Sequence, residues 1–213
     1  MTDEQLPPIV RGNRGVSIWF WITLAVIILA GPVIIAVPRA GSEAAPPAQW
    51  PLIIGCGVAL LLGTRALLIP RLRFDLPRGE FTTRRHRYPF AAVARMEFTR
   101  QSAGLWAVLR NDQGHRIGAM SLGNSFCAPP DAAQWAALRH TLATSAAIRR
   151  TPPVPPSHGE LAIGQVLQIL DAQVAWCRSG KRSSSREAPH QALYRSAGSS
   201  RGKTTVDLRA HRS

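Results

Sequence analysis

The chain has 213 residues and a formal net charge of +14, with 26 Lys and Arg against 12 Asp and Glu. This length allows about one domain with appendages, and the positive balance favours anionic partners without bearing on the fold. The three cysteines lack a C-x-x-C spacing, which excludes a disulfide framework and predicts free thiols in a reducing compartment.

Two long apolar blocks, 16–37 and 50–69, dominate the first third of the chain. About 20 apolar residues cross a hydrocarbon core of roughly 30 Å, so each block predicts a transmembrane helix. The first apolar stretch is longer than that of a signal peptide, which disfavours cleavage. We expect residues 38–49 to form a short external loop and residues 1–15 to form a cytoplasmic N-terminal segment.

The basic residues around the two blocks predict their orientation. Arg11 and Arg14 precede the first block and Arg71 and Arg73 follow the second, whereas the loop between them contains only Arg39. Arg-rich flanks stay in the cytoplasm. We therefore expect a multi-pass protein of the inner (plasma) membrane, with both termini cytoplasmic and the lipid bilayer as its first partner.

Residues 70–150 are predicted to form a domain of antiparallel strands followed by one helix. Alternating, β-branched and aromatic residues predict five extended segments, over 72–76, 81–88, 90–98, 105–110 and 115–122. The Ala content of 90–98 leaves a helical turn as the alternative for that segment. The turn residues 111–114, which end in Gly, join the last two segments as a hairpin.

A helix is predicted after Asp131, the N-cap, with Gln134 at the capping-box position. Trp135, Leu138 and Leu142 recur at helical spacing and form an apolar stripe. This helix closes the domain.

This order of elements carries a family resemblance. The run RFDLPRGEFTTRRHRYPFAAVARMEF, followed by GLWAVLRNDQGHRIGAMSL and the helix DAAQWAALRHTL, resembles the PH-like domains of bacterial two-pass membrane proteins. The resemblance covers about residues 51–147. It implies a small, mainly-β or α+β fold, in which a bent antiparallel sheet or small barrel is plugged by Trp135 and Leu138. It also implies interaction or scaffolding rather than catalysis.

The C-terminal third is predicted to hold a Pro-rich linker (151–159), an amphipathic helix (160–178) and a basic disordered tail (179–213). The helix needs a partner for its apolar face. Its own domain, a second copy and a separate protein are the alternatives. The face consists of Ile163, Val166, Leu167, Leu170 and Val174.

The densest basic cluster predicts contact with anionic lipid head groups. A solvated strand face is the alternative. We assign this contact to Arg71, Arg73, Arg84, Arg85 and Arg87.

No other chemistry is predicted. The six histidines lack metal-ligand spacing, and no nucleophile or phosphate-loop motif is present, so we expect no metal, no cofactor and no enzyme activity. The basic stretches lack interleaved aromatic residues, which disfavours a specific nucleic-acid partner.

The sequence as a whole predicts a non-enzymatic, membrane-anchored PH-like protein for interaction or scaffolding at the cytoplasmic face. Its partner would be another protein or a second copy. The alternative function is an oligomeric pore or transporter subunit built from the helix hairpin. Against it, Arg65 is the only charged residue in the two blocks, and transport paths usually need more.

Overall fold

The computed structural model describes residues 7–12, 72–84, 86–101, 104–123, 128–149, 161–183, 185–195 and 203–209. The chain divides into two units, Met1–Arg14 with Pro70–Ser213 and Gly15–Ile69, and all described residues lie in the first. Within them, eight strands form two antiparallel sheets, ordered β1-β2-β3-β4 and β7-β6-β5-β8. The strands are β1 (Ile9–Arg11), β2 (Arg73–Asp75), β3 (Glu80–Thr82), β4 (Arg87–Pro89), β5 (Arg95–Gln101), β6 (Gly104–Arg110), β7 (Arg116–Gly123) and β8 (Lys203–Asp207).

The described residues also form three α-helices and two short 3-10 helices. They are α1 (Ala132–Arg149), α2 (Ile163–Arg178) and the single turn α3 (Ala192–Arg195), with short 3-10 helices at Phe90–Ala92 and Pro189–Gln191. The backbone N–H of Gln134 donates to Asp131 Oδ1, and that of Asp131 donates to Gln134 Oε1, both at 2.9 Å. The predicted capping box at the start of α1 is therefore confirmed.

The first sheet is held by a row of buried apolar side chains. Val10, Phe74, Phe81 and Tyr88 lie in register across β1 to β4. The first three are buried, and the Phe81 and Tyr88 rings stack with centroids 5.6 Å apart. Since side chains alternate along a strand, the residues on either side of this row lie on the opposite face of the sheet.

Strand β1 belongs to this sheet although it is distant in sequence from the other three strands. It pairs with β2 although residues 12–72 separate them in the sequence, and Gly12 N–H donates to the Leu72 carbonyl at 2.8 Å. The predicted N-terminal segment 1–15 therefore contributes a strand to the domain.

The two sheets and the helices enclose one apolar core. Phe74 and Phe81 of the first sheet and Met96 and Phe98 of the second belong to the same buried cluster. Helix α1 adds side chains that are fully buried, and α2 packs on α1. The buried residues of the two helices are Trp135, Leu138, Leu142, Val166 and Leu170.

The membrane predictions require correction. Among the residues that the structure describes, no helix is both long and apolar enough to cross a bilayer. The predicted two-pass architecture, membrane anchor and multi-pass inner-membrane location therefore find no support in the described residues. The predicted spans 16–37 and 50–69 and the loop 38–49 lie outside the described residues.

The PH-like fold is also wrong, because the helix after the strands does not end the domain. In place of one bent sheet of about five strands, the described residues form two four-stranded sheets in an α+β arrangement. After α1, the chain continues into α2 and returns to the second sheet as β8, which pairs with β5. Residues 203–207 were predicted to be disordered and instead form this edge strand.

Local predictions fare unevenly. The hairpin of β6 and β7 and the helix α2 are confirmed. The predicted single segment 81–88 is instead a hairpin of β3 and β4, closed by Thr83 N–H donating to the His86 carbonyl at 2.8 Å. The predicted segment 90–98 begins as a 3-10 helix before β5. The Pro-rich linker lies outside the described residues.

Candidate functional site

One buried cluster of polar side chains lies where α1, α2 and the C-terminal segment meet. We call Trp135, Gln173, Ser183 and His190 the buried polar cluster; all four are at most 5% exposed. Trp135 Nε1 donates to Ser183 Oγ at 3.1 Å, and Gln173 Nε2 reaches the same oxygen at 3.4 Å. The Trp135 and His190 rings lie 5.2 Å apart. Hydrogen bonds within the cluster thus offset the burial of its polar groups.

Burial favours the neutral forms of the titratable side chains at this cluster. Burial raises the pKa of the Cys177 thiol, which contacts Gln173 Nε2, whereas a nucleophilic cysteine needs a lowered pKa. Burial lowers the pKa of His190 to about 4, so the ring is neutral near pH 7. Its Nδ1 and Nε2 atoms face the side-chain amides of Gln173 and Gln191, at 3.2 and 3.3 Å. The hydrogen bonds of the cluster connect α1 and α2 to the C-terminal segment.

The other feature is a row of cations on the surface of the first sheet. The strand register places Arg11, Arg73, Thr82 and Arg87 side by side across β1 to β4, on the face opposite the core. The three arginines are exposed, and Thr82 is half-buried. We call these four residues the arginine row.

Among the described residues, no ion pair involves Arg11, Arg73 or Arg87. In addition, Arg11 lies directly opposite Arg73, and like charges in that position are destabilising. By charge alone, the Arg11–Arg73 pair therefore does not stabilise the first sheet.

The second sheet carries a comparable row that is neutralised. Arg110 and Arg95 lie opposite each other on β6 and β5. Arg95 Nη2 lies 2.8 Å from Asp207 Oδ2, and Arg110 Nε lies 2.7 Å from Glu97 Oε2. On the second sheet Arg95 and Arg110 are thus paired with carboxylates, whereas Arg100 and Arg116 form no ion pair among the described residues.

An acidic row runs beside the arginine row. A second row on the outer face of the first sheet consists of Ile9, Asp75, Glu80 and Pro89. Each of these residues lies two positions along its strand from a member of the arginine row, a distance of roughly 6.6 Å. Asp75 forms a long ion pair with Arg78, at 3.9 Å. We call these four residues the acidic row. The outer face therefore alternates in charge over one strand repeat.

The predicted lipid-contact residues are only partly brought together. Arg73 and Arg87 share the arginine row, and Arg84 is exposed in the turn between β3 and β4. Arg71 and Arg85 lie outside the described residues. Contact with anionic lipid head groups stays a prediction.

The predicted partner-binding face of α2 lies against the core of this chain. Val166 and Leu170 are fully buried. Ile163, Leu167 and Val174 are partly buried against the same core. Of the alternatives, packing on its own domain is the arrangement present, and a separate partner for this helix stays a prediction.

The sequence alone does not assign three members of these features, Arg11, Ser183 and His190, to them. Arg11 joins the arginine row only because β1 pairs with β2 from a distance, which no local pattern signals. Ser183 and His190 lie in the segment predicted to be disordered. The only signal was the short run ALY near His190, an apolar interruption of a polar tail.

Comparison with protein-family models, curated proteins and solved structures gave no match to this chain. Within the described part of the chain, no group of three or more His, Cys, Asp and Glu residues is placed to hold a metal ion. The outer face of the first sheet, with its arginine row, is the candidate functional site.

Proposed function

We propose that the protein is a non-enzymatic interaction module that docks a negatively charged region of another protein on the outer face of its first sheet. The juxtaposition of cations in the arginine row carries this proposal. Arg11, Arg73 and Arg87 are exposed in one row and form no ion pair among the described residues, whereas Arg95 and Arg110 on the second sheet are paired with Asp207 and Glu97. Local rules of stability are broken mainly at functional sites.

The chemistry of arginine supports the same proposal. A guanidinium presents five N–H donors in a planar fork that matches carboxylate and phosphate groups. Ile9, in the acidic row, adds an exposed apolar side chain to this face, since 42% of its surface is accessible. A cationic surface with an apolar edge is suited to a protein partner.

The proposal also states that the buried polar cluster is not a catalytic site. The buried polar cluster is the one place in the described residues where a histidine, a cysteine and a serine meet, and its Cys177 thiol has a raised pKa. Enzymes that use a cysteine nucleophile lower that pKa. The cluster serves folding in this proposal.

Site-specific photo-crosslinking tests the docking face. A benzoylphenylalanine in place of Ile9, in the full chain in its native cells, is expected to form a protein adduct. The adduct should disappear when Arg73→Glu is added, because this change reverses the charge of the row.

Two controls make the result decisive. The same photo-reactive residue at Gln113, exposed in the β6–β7 turn, should give no comparable adduct. Arg100→Glu changes an exposed arginine of β5 and should leave the Ile9 adduct intact. Equal adducts from both positions, or an Ile9 adduct that survives Arg73→Glu, would contradict the proposal.

A further inference from the structure

We propose that Arg73, Thr82 and Arg87 form a binding site for a phosphate group carried by a peptide segment of the partner. This inference rests on the proposed function and specifies the chemistry of the partner. It also predicts that the segment has a basic residue two positions from its phosphorylated residue.

The register brings three donors to one place. Thr82 on β3 lies directly between Arg73 on β2 and Arg87 on β4. Neighbouring strands are about 4.8 Å apart, so the two arginines flank the hydroxyl at roughly 10 Å from each other. All three side chains lie on the same face of the sheet, and long guanidinium side chains reach across such a gap.

The number of donors favours phosphate over carboxylate. One guanidinium fork engages both oxygens of a carboxylate, whereas a phosphate monoester carries about −1.5 to −2 charges and three strong acceptor oxygens. Two forks and the hydroxyl between them match that charge and that number of acceptors. Arg11 adds a third cation next to Arg73.

The acidic row favours a peptide over a uniformly anionic membrane surface as the ligand of this face. Asp75 and Glu80 lie one strand repeat from Arg73 and Thr82 on the same face, and no ion pair involves Glu80 among the described residues. An array of anionic head groups would meet these carboxylates as well as the arginines. An extended peptide places residues i and i+2 roughly 6.6 Å apart, so its phosphate and a basic side chain match the two rows.

Fluorescence anisotropy with short labelled peptides tests the site on the full chain. The probe is a peptide with one phosphoserine and an arginine two positions later, in a Gly-rich context. We expect it to bind at least tenfold more tightly than the unphosphorylated peptide or the peptide with Glu in place of phosphoserine. Replacing the probe arginine by Glu should weaken binding, and Glu80→Gln should reduce that preference.

Variants of the protein distinguish the contribution of the planar guanidinium group to binding from that of its positive charge. Arg73→Lys and Arg87→Lys keep the charge but remove the fork, and each should weaken binding by about fivefold or more. Thr82→Val removes the hydroxyl and should weaken it severalfold. Arg100→Lys is the matched control on the second sheet and should have no effect. Circular dichroism confirms that each variant is folded.

Three outcomes would overturn the inference. These are equal binding of the phosphoserine and Glu peptides, insensitivity to Arg73→Lys, and Arg73-dependent binding to phosphatidylglycerol vesicles but not to the probe. If the probe fails while the Ile9 adduct remains dependent on Arg73, the docking face stands and only the phosphate site falls. If the adduct is absent as well, the proposed function falls with it.

Discussion

The indole of Trp135 and the hydroxyl of Ser183 meet in a buried hydrogen bond of 3.1 Å, although 48 positions separate them in the chain. Trp135 lies in the first turns of α1, and Ser183 follows α2 in the segment that leads to β8. Because Gln173 Nε2 also reaches Ser183 Oγ, one side chain links both long helices to the C-terminal segment. The bond thus connects the apolar core to a part of the chain whose composition is polar.

Replacing Ser183 by alanine should destabilise the domain. The change leaves the Trp135 indole N–H buried without its acceptor, and such a loss costs about 1–3 kcal/mol. Urea denaturation followed by tryptophan fluorescence measures the difference. Ser185→Ala is the control, because Ser185 Oγ only accepts an exposed backbone N–H from Glu187. Equal midpoints for wild type and Ser183→Ala would show that the bond contributes nothing.

His190 should make stability depend on pH. Burial lowers its pKa from 6.5 to about 4, so between these values the unfolded chain binds the proton and the folded chain does not. Stability from this residue is therefore complete above pH 6.5 and decreases as pH falls toward 4, by about 2 kcal/mol between pH 7 and pH 5.

The measurement is the free energy of unfolding at pH 7 and pH 5 for wild type and His190→Gln. The variant should lose the pH-dependent part, whatever its absolute stability. His115→Gln, at an exposed position in the β6–β7 turn, should keep it. A pH slope unchanged by His190→Gln would contradict the assignment.

The elements that the sequence predicts well are those specified by local chemistry. Asp131 and Gln134 form the capping box at α1, and Gly114, with φ of 79°, turns the hairpin between β6 and β7. The β3–β4 turn around Arg84 contains neither glycine nor proline, so it resembled a continuous strand. Strand β8 contains only one buried apolar side chain, Val206. The average composition of residues 179–213 is polar, and it therefore gives no sign of a strand there.

The candidate site can be predicted from the sequence only in part, for a different reason. Arg73, Arg84 and Arg87 were recognised from local charge density, but the arginine row also requires Arg11. Which residues share a row depends on the register of strands that are distant in the chain. The unpaired state of the row depends on where the carboxylates of Asp75 and Glu80 lie. Neither property follows from periodicity.

Gly118 on β7 should not tolerate a larger side chain. A Cβ at this position would lie 3.2 Å from both Leu109 Cδ1 and Phe81 Cε2, atoms of the two different sheets. Overpacking of this kind costs about 1–3 kcal/mol, so Gly118→Ala should lower the urea midpoint. Gly123→Ala is the matched change on the same strand, where no atom lies within 4 Å. Equal effects of the two changes would contradict close packing between the sheets.

Replacing Arg73 by threonine should separate stability from binding. Threonine suits a strand and removes the repulsion from Arg11, so stability should stay constant or rise by roughly 0.5 kcal/mol or less. The adduct formed from the Ile9 position should be lost. Thermal unfolding and the crosslinking yield measure the two effects. Arg100→Thr should change neither. A marked loss of stability in Arg73→Thr would show that the arginine serves the fold.

Asp207 should control how firmly β8 is held at the edge of the second sheet. Burial of this carboxyl acts to raise its pKa, but hydrogen bonds from Arg209 and Arg95 outweigh burial and keep the pKa below its ordinary value. The carboxylate bonds Arg95 of β5 at 2.8 Å and also binds Arg209. It therefore joins the two strands through side chains as well as through the backbone ladder.

Asp207→Asn removes the negative charge between two guanidinium groups, so β8 should separate from β5 more often. Hydrogen–deuterium exchange at pH 7 should become faster in residues 203–208, while β6, which pairs on the opposite side of β5, keeps its protection. Asp112→Asn removes a carboxylate that binds Arg149 outside this sheet edge, and it should leave β8 unchanged. Unaltered exchange in Asp207→Asn would mean that the backbone ladder alone holds the strand, since five residue pairs join β5 and β8.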